Sequence, residues 1–292
     1  MSTAPSTTAA LPLVVLLVAG ISWGRATAGE QSFVLDRNGT HVPVLLVAAN
    51  RVAGTKPALV IGLHGFGIDE RQMATLVDVR PDGPYVYVAP RGFHELGDRS
   101  RGWFDVSVRD RKPHFELDDL TRAADDVVDL IPPLAERYDA DPSRVAIVGY
   151  SQGAAVSLAI ALRHPSRIAA AAVLSGAPLD RLESTDRIGR EIEEENTRAA
   201  IFIGHGTRDG LTETATMRAE ADRLARLGHD VTYREYDIPH VVSQAERIDV
   251  GTWLSDQLTN DRTQDDGVAA SPAVDVGNSR RPQSATTEEE SE

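Results

Sequence analysis

Six short apolar runs recur through the middle of this chain: Ala58 to Leu63, Tyr85 to Ala89, Val145 to Val148, Ala170 to Leu174, Ala200 to Ile203 and Val231 to Tyr236. Helical patterns lie between most of them, at Leu120 to Tyr138, Gln152 to Arg163 and Glu213 to Leu227, and a last one follows at Ser243 to Leu258. Strands this apolar cannot leave either face in water, and helices spaced between them can cover both faces. The alternation predicts an α/β fold with a mostly parallel central sheet and helices on both faces. Pro132-Pro133 inside the first helical pattern should kink or split it, because proline brings no N–H and its ring crowds the preceding turn. A hairpin is expected upstream, where Ser32 to Asp36 and His41 to Val47 flank Asn38-Gly39, a pair that readily takes the positive φ angles of a two-residue turn. Asn38-Gly39-Thr40 also spells a glycosylation sequon, but the turn already accounts for it.

Residues 29–260 read as one catalytic-sized domain between two ends of different character. Leu11 to Trp23 is almost wholly apolar and Ala26-Thr27-Ala28 follows as a cleavage-like site, so residues 1–28 read as a signal peptide and the protein as secreted or periplasmic. No Lys or Arg precedes Arg25, and a cytoplasmic protein with an N-terminal extension is the alternative. Residues 261–292 carry eight acidic residues, three arginines and no aromatic, a composition that cannot bury enough surface to offset its ordering entropy; an acidic disordered tail is expected. The net charge of -14, with no basic run, argues against a nucleic-acid partner and against anionic membranes. The absence of cysteine excludes disulfides, thiolate metal sites and a thiol nucleophile. Asp118, Asp119, Asp125, Asp126 and Asp129 suggest a metal site at first sight, but they alternate with apolar positions on a helical pattern and read as a solvated face.

The strand ending at Val148 runs into Gly149-Tyr150-Ser151-Gln152-Gly153 and at once into a helix. In that context G-x-S-x-G is a nucleophile elbow: glycine on either side lets strand and helix pass closely, and Ser151 is held out at the apex. A serine hydroxyl needs a base, and the base needs an orienting group. Along the chain, His205-Gly206-Thr207-Arg208-Asp209 follows one strand and Asp237-Ile238-Pro239-His240 the next, which makes Asp209 the candidate acid and His240 the candidate base. His240 alone would read equally well as a packing histidine; the elbow and the order Ser, Asp, His favour the site. Leu63-His64-Gly65-Phe66-Gly67, directly after the first apolar run, can bring the Phe66 N–H beside the nucleophile, where with the N–H of Gln152 it would form an oxyanion hole. Without the elbow, that stretch is an ordinary glycine turn.

LHGFG (Leu63 to Gly67), APRG (Ala89 to Gly92), GWFD (Gly102 to Asp105), GYSQGA (Gly149 to Ala154), HGTRD (His205 to Asp209) and the final Pro239-His240 together resemble the phospholipase/carboxylesterase family of α/β-hydrolases, which includes acyl-protein thioesterases and bacterial carboxylesterases. The resemblance spans Ala58 to Leu258. It implies an α/β-hydrolase fold, a serine carboxylic-ester hydrolase without cofactor or metal, and a small ester or thioester substrate. By the same resemblance Ser151, Asp209 and His240 are the triad, Phe66 and Gln152 the oxyanion donors, and Trp103 part of a loop beside the substrate cleft. The apparent signal peptide, acidic tail and added hairpin depart from the family pattern and favour small esters outside the cytosol over protein depalmitoylation. Leu182 to Thr197 is too short and polar for the apolar lid of a lipase, so no large lid and an open cleft are expected. No stable membrane anchor should remain once the signal is removed, and oligomeric state is not legible. Two alternatives stay open: a peptidase or amidase of the same fold, and a silent hydrolase fold used for binding, which predicts a missing triad member where this chain fills all three positions.

Overall fold

All six apolar runs are strands in the computed structural model, which describes residues 31–37, 40–49, 51–77, 85–109, 112–179 and 198–259. The strands are β1 (Gln31–Arg37), β2 (Thr40–Ala49), β3 (Ala58–Leu63), β4 (Tyr85–Pro90), β5 (His94–Gly97), β6 (Ser100–Gly102), β7 (Ser107–Arg109), β8 (Lys112–His114), β9 (Val145–Tyr150), β10 (Ala170–Leu174), β11 (Ala200–Gly206) and β12 (Val231–Tyr236). The helices are α1 (Glu70–Met73), α2 (Leu117–Val128), α3 (Ile131–Tyr138), α4 (Gln152–Arg163), α5 (Thr214–Arg226) and α6 (Gln244–Thr259).

The main sheet is eight-stranded in the order β1-β2-β4-β3-β9-β10-β11-β12. From β4 to β12 neighbouring strands are parallel, and β1 and β2 add an antiparallel extension at the β4 side. The expected hairpin is this extension, with Arg37 paired to Thr40; the turn residues Asn38 and Gly39 lie outside the described residues. So do the signal-like segment, the acidic tail and Leu182 to Thr197.

Alternation along each strand divides the core in two. Leu59, Ile61, Leu63, Val145, Ile147, Val173, Ile201 and Ile203 face α2, α3, α4 and α5. Val60, Tyr87, Val148, Leu174 and Phe202 face Met73 of α1 and Val250, Trp253 and Leu254 of α6. Residues of β3 are at most 2% exposed, and each of its large aliphatic side chains contributes roughly 1.5–3 kcal/mol relative to exposure. Both faces are therefore covered by helix, as the uninterrupted apolar runs require. Among the described residues no lid domain stands over the carboxyl edge of the sheet.

Pro132-Pro133 splits the expected single helix. The chain breaks after Val128 and restarts at Ile131, with the prolines in the first turn of α3, where the missing N–H groups would have had no intrahelical acceptor. α4 is buried along almost its whole length, from Gln152 to Leu162, because it lies between the sheet and α2.

Candidate active site

The parallel strands all end at one edge, so the loops after β9, β11 and β12 gather there. Ser151 follows β9 and precedes α4, with φ 55° and ψ -111°, a conformation that an L-residue holds only at a cost of about 1–3 kcal/mol. Its N–H donates to Leu174 O at 2.9 Å, tying the turn to β10. A side chain at Gly149 would overlap the Gly153 carbonyl, and one at Gly153 would overlap the Leu63 carbonyl. The two glycines are the steric condition for bringing β9, α4 and the end of β3 to one point.

The loops carrying Asp209 and His240 are fastened to each other. Thr207 N–H donates to Tyr236 O at 2.8 Å, Arg208 N–H to Ile238 O at 3.0 Å, and the Arg208 guanidinium pairs with Asp237 at 2.7 Å. Asp209 Oδ1 accepts from the N–H groups of Leu211 (2.8 Å) and Thr212 (3.2 Å), which leaves Oδ2 for His240 Nδ1 at 2.7 Å. His240 Nε2 lies 2.9 Å from Ser151 Oγ. Since an ionised carboxylate only accepts, Nδ1 carries the proton and donates to Asp209, and Nε2 is free to accept from the serine hydroxyl. The Asp209 side chain is fully buried. Burial would raise its pKa, but the His240 hydrogen bond and charge and the two main-chain donors outweigh this and hold the carboxyl below its ordinary value. The Tyr150 hydroxyl donates to His240 O at 2.9 Å and steadies the loop from below.

The loop after β3 runs alongside: a side chain at Gly65 would come 3.3 Å from Ser151 Cβ. Gly67 N–H is spent on Arg101 O at 2.8 Å, whereas among the described residues no acceptor takes the N–H of Phe66 or of Gln152. Gln152 is the first residue of α4, so its N–H has no intrahelical partner. Unspent main-chain donors near a serine are what an oxyanion site requires.

His64 is completely buried at the root of this loop. Its Nε2 sits 2.9 Å from Gly92 N, an obligate donor, so Nε2 accepts and Nδ1 carries the hydrogen, donating to Gly65 O at 2.8 Å. Burial lowers its pKa and keeps this neutral tautomer. Trp103, which the resemblance put beside the cleft, is 4% exposed and packs beneath the loop, its ring 5.0 Å from that of His64 and 5.5 Å, edge-on, from Phe93. A cavity of about 320 Å³ among Asp69, Arg71, Arg91, Asp98, Arg99 and Arg101 has none of Ser151, Asp209 and His240 in its wall. Among the described residues, no three His, Asp or Glu side chains gather so as to hold a metal ion, and no helix is long and apolar enough to cross a membrane.

The structure thus brings Ser151, Asp209 and His240 into one hydrogen-bonded chain and sets the Phe66 loop and the first turn of α4 beside it. Sequence reasoning missed the supports: His64 as a clamp, the Gln152 side chain, the Tyr150 hydroxyl and the buried Trp103. His64 carries a sequence signal as a histidine at a strand end beside two glycines, and Trp103 and Gln152 stand in the quoted motifs GWFD and GYSQGA, but their side-chain bonds to one another do not show there.

A parallel sheet with helices on both faces and a serine elbow at its carboxyl edge defines an α/β-hydrolase. The sequence profile of the phospholipase/carboxylesterase family matches residues 48–257, and the chain belongs to that family, whose class of reaction is carboxylic-ester hydrolysis. It is 27% identical over 236 residues to an acyl-protein thioesterase 1 of Debaryomyces hansenii, covering 73% of this chain and 98% of that one. A carboxylesterase of Arabidopsis thaliana is 29% identical over 162 residues, 54% of this chain and 68% of its own. In fold, a carboxylesterase from Mesorhizobium loti superposes with a TM-score of 0.61 at 23% identity, covering 77% of this chain and 98% of that chain.

Proposed function

We propose that the protein hydrolyses carboxylic esters and thioesters through an acyl-enzyme on Ser151. As Oγ attacks the carbonyl carbon, His240 Nε2 takes the hydroxyl proton, while Asp209 keeps the other ring hydrogen on Nδ1 and stabilises the imidazolium. The carbonyl oxygen, now carrying the charge, is met by the N–H groups of Gln152 and Phe66. Collapse breaks the bond to the alcohol or thiol, which leaves with the proton from His240. Water then attacks the acyl carbon with His240 as base, and the acid departs as Oγ regains its proton. The observation that carries this reading is a single imidazole bonded at one nitrogen to Ser151 and at the other to a buried carboxylate. Thioester cleavage is supported by the acyl-protein thioesterases among the relatives. Phe66 and Leu211, each 37% exposed next to site residues, support an apolar acyl or aryl group on the substrate.

The test is profiling with nitrophenyl esters and acyl thioesters of graded chain length, with labelling by a fluorophosphonate. Wild type should be labelled once, at Ser151, and Ser151→Ala should lose both labelling and turnover. A variant that keeps the wild-type rate would remove Ser151 from the mechanism. Export of the protein is part of the same proposal, supported by the apolar Leu11 to Trp23 segment and Ala26-Thr27-Ala28. Mass spectrometry of the secreted chain should find Gly29 at its start; a mature protein retaining Leu11 to Trp23 would refute cleavage.

A further inference from the structure

The two oxyanion donors come from chain segments far apart in sequence, the loop after β3 and the first turn of α4. An oxyanion hole works only when both N–H groups lie within about 2.7–3.1 Å of one oxygen, so something must fix their separation. Glycine at 153 permits close approach of α4 to the β3 end but does not hold it there.

A chain of buried hydrogen bonds crosses the gap. The Gln152 carboxamide lies against the main chain of residues 103–104 as a strand neighbour would: Trp103 N–H donates to Gln152 Oε1 at 2.9 Å, and Gln152 Nε2 donates to Phe104 O at 2.8 Å. The indole Nε1–H of Trp103 then donates to His64 O at 2.8 Å. His64, Trp103 and Gln152 are 0%, 4% and 7% exposed. Each of these polar contacts is therefore made in a dry interior, where a lost partner leaves an uncompensated group. We infer that Trp103 is a positioning residue for ester hydrolysis: clamped by the Gln152 side chain at its main chain and by the His64 carbonyl at its indole, it sets the distance between the two oxyanion donors.

The circuit explains why Gln152 carries a carboxamide. Its main-chain N–H faces the oxyanion while its side chain grips Trp103, so the same residue supplies one donor and anchors the bridge to the other. His64 closes the far side, since its carbonyl takes the indole while its ring holds Gly65 O and Gly92 N–H, on either side of the loop that presents Phe66. An aromatic residue serving only to fill the core would need neither main-chain nor indole bonds to the two arms of the hole.

The inference rests on the hydrolytic reading above, and the experiment separates the two. Trp103→Phe removes the indole donor and keeps an aromatic ring; Gln152→Met removes both side-chain bonds and keeps the volume. Trp253→Phe is the control, a buried aromatic on the opposite face of the sheet that packs on Phe202. Steady-state kinetics on a nitrophenyl ester, thermal unfolding and inhibition by a trifluoromethyl ketone are measured for each. The ketone adds to Ser151 and places a full oxyanion in the hole, so its affinity reads the donor geometry. Trp103→Phe should lower kcat and ketone affinity together, by about 10- to 100-fold, with KM changed less than about threefold. Trp253→Phe should lose stability with kcat unchanged. Gln152→Met should act in the same direction as Trp103→Phe, and the double variant should fall no further than the worse single one, because both break one circuit. If Trp103→Phe and Gln152→Met both keep kcat and ketone affinity, losing only stability as Trp253→Phe does, the positioning role is overturned. If Ser151→Ala is as active as wild type, it is the hydrolytic reading that fails.

Discussion

Glu246, in the first turn of α6, is completely buried, and among the described residues neither of its oxygens has a hydrogen-bond partner of ordinary geometry. It fills the space that a side chain at Gly204 would need, and the field of Asp249 adds to the cost of charging it. Burial, reinforced by Asp249 and only partly offset by the Ser243 main chain, pushes its carboxyl up to about 8 from an ordinary 4.5. The direction of the effect on stability follows. Below about pH 4.5 folded and unfolded chains both hold the proton. Between there and about pH 8 the unfolded chain releases it and the folded chain does not, so unfolding is favoured by about 1.4 kcal/mol for each pH unit. Across the whole interval this amounts to at most about 5 kcal/mol, lost as the pH rises. Glu246→Gln keeps the shape and polarity of the protonated acid and removes the titration. Urea unfolding of both proteins at steps from pH 5 to 9 measures it: the two should agree within about 1 kcal/mol at pH 5, and the variant should be more stable by about 3–5 kcal/mol at pH 8.5. Parallel curves across that range would mean that Glu246 is ionised and solvated in the folded protein, and the reasoning would fail.

Two other outcomes are expected. Asp209→Asn should leave the fold intact but lower kcat by about 10³- to 10⁴-fold, because an amide that donates toward His240 Nδ1 turns the ring so that Nε2 carries the hydrogen and can no longer accept from Ser151; a loss under tenfold on a nitrophenyl ester would contradict the tautomer assignment. Gly153→Ala should cost at least about 3 kcal/mol in urea unfolding, since its methyl group meets the main-chain carbonyls of Leu63 and His64 and not a flexible side chain; a variant as stable as wild type would show that α4 does not approach β3 as closely as described.

β3 and β10 are legible with their observed limits because each is an unbroken apolar run closed by a glycine-containing turn, and β12 because four of its six residues are β-branched or aromatic and Asp237-Ile238-Pro239 ends it. β9 and β11 run further than their apolar stretches suggest, through Gly149-Tyr150 and Gly204-His205-Gly206, because pairing with β10 and β12 sustains glycines of poor strand propensity. Those extra residues carry the chain to Ser151 and Asp209. The short pairs β5–β6 and β7–β8 and the four-residue α1 escaped notice: each is too brief to show a period, and Asp69, which caps α1, looks like any loop aspartate. At the site, residue type and order revealed the hydroxyl, imidazole and carboxylate. The bonds that hold them run to main-chain atoms, such as His64 O and His240 O, and a carbonyl has no letter in the sequence. The burial of Trp103 beneath the loop rests on the same kind of contact, its indole donating to His64 O, and is equally invisible in the sequence.

α4 starts immediately after Ser151 and is enclosed by protein along nearly its full length. Any shift of that rod would disturb the sheet and α2 together, so the position of Ser151 is tied to the packing of the core. On the proposed hydrolytic reading, adaptation to a new acyl or alcohol group would fall to the surface loops around it, which can change in length and chemistry while Ser151 Oγ stays where it is.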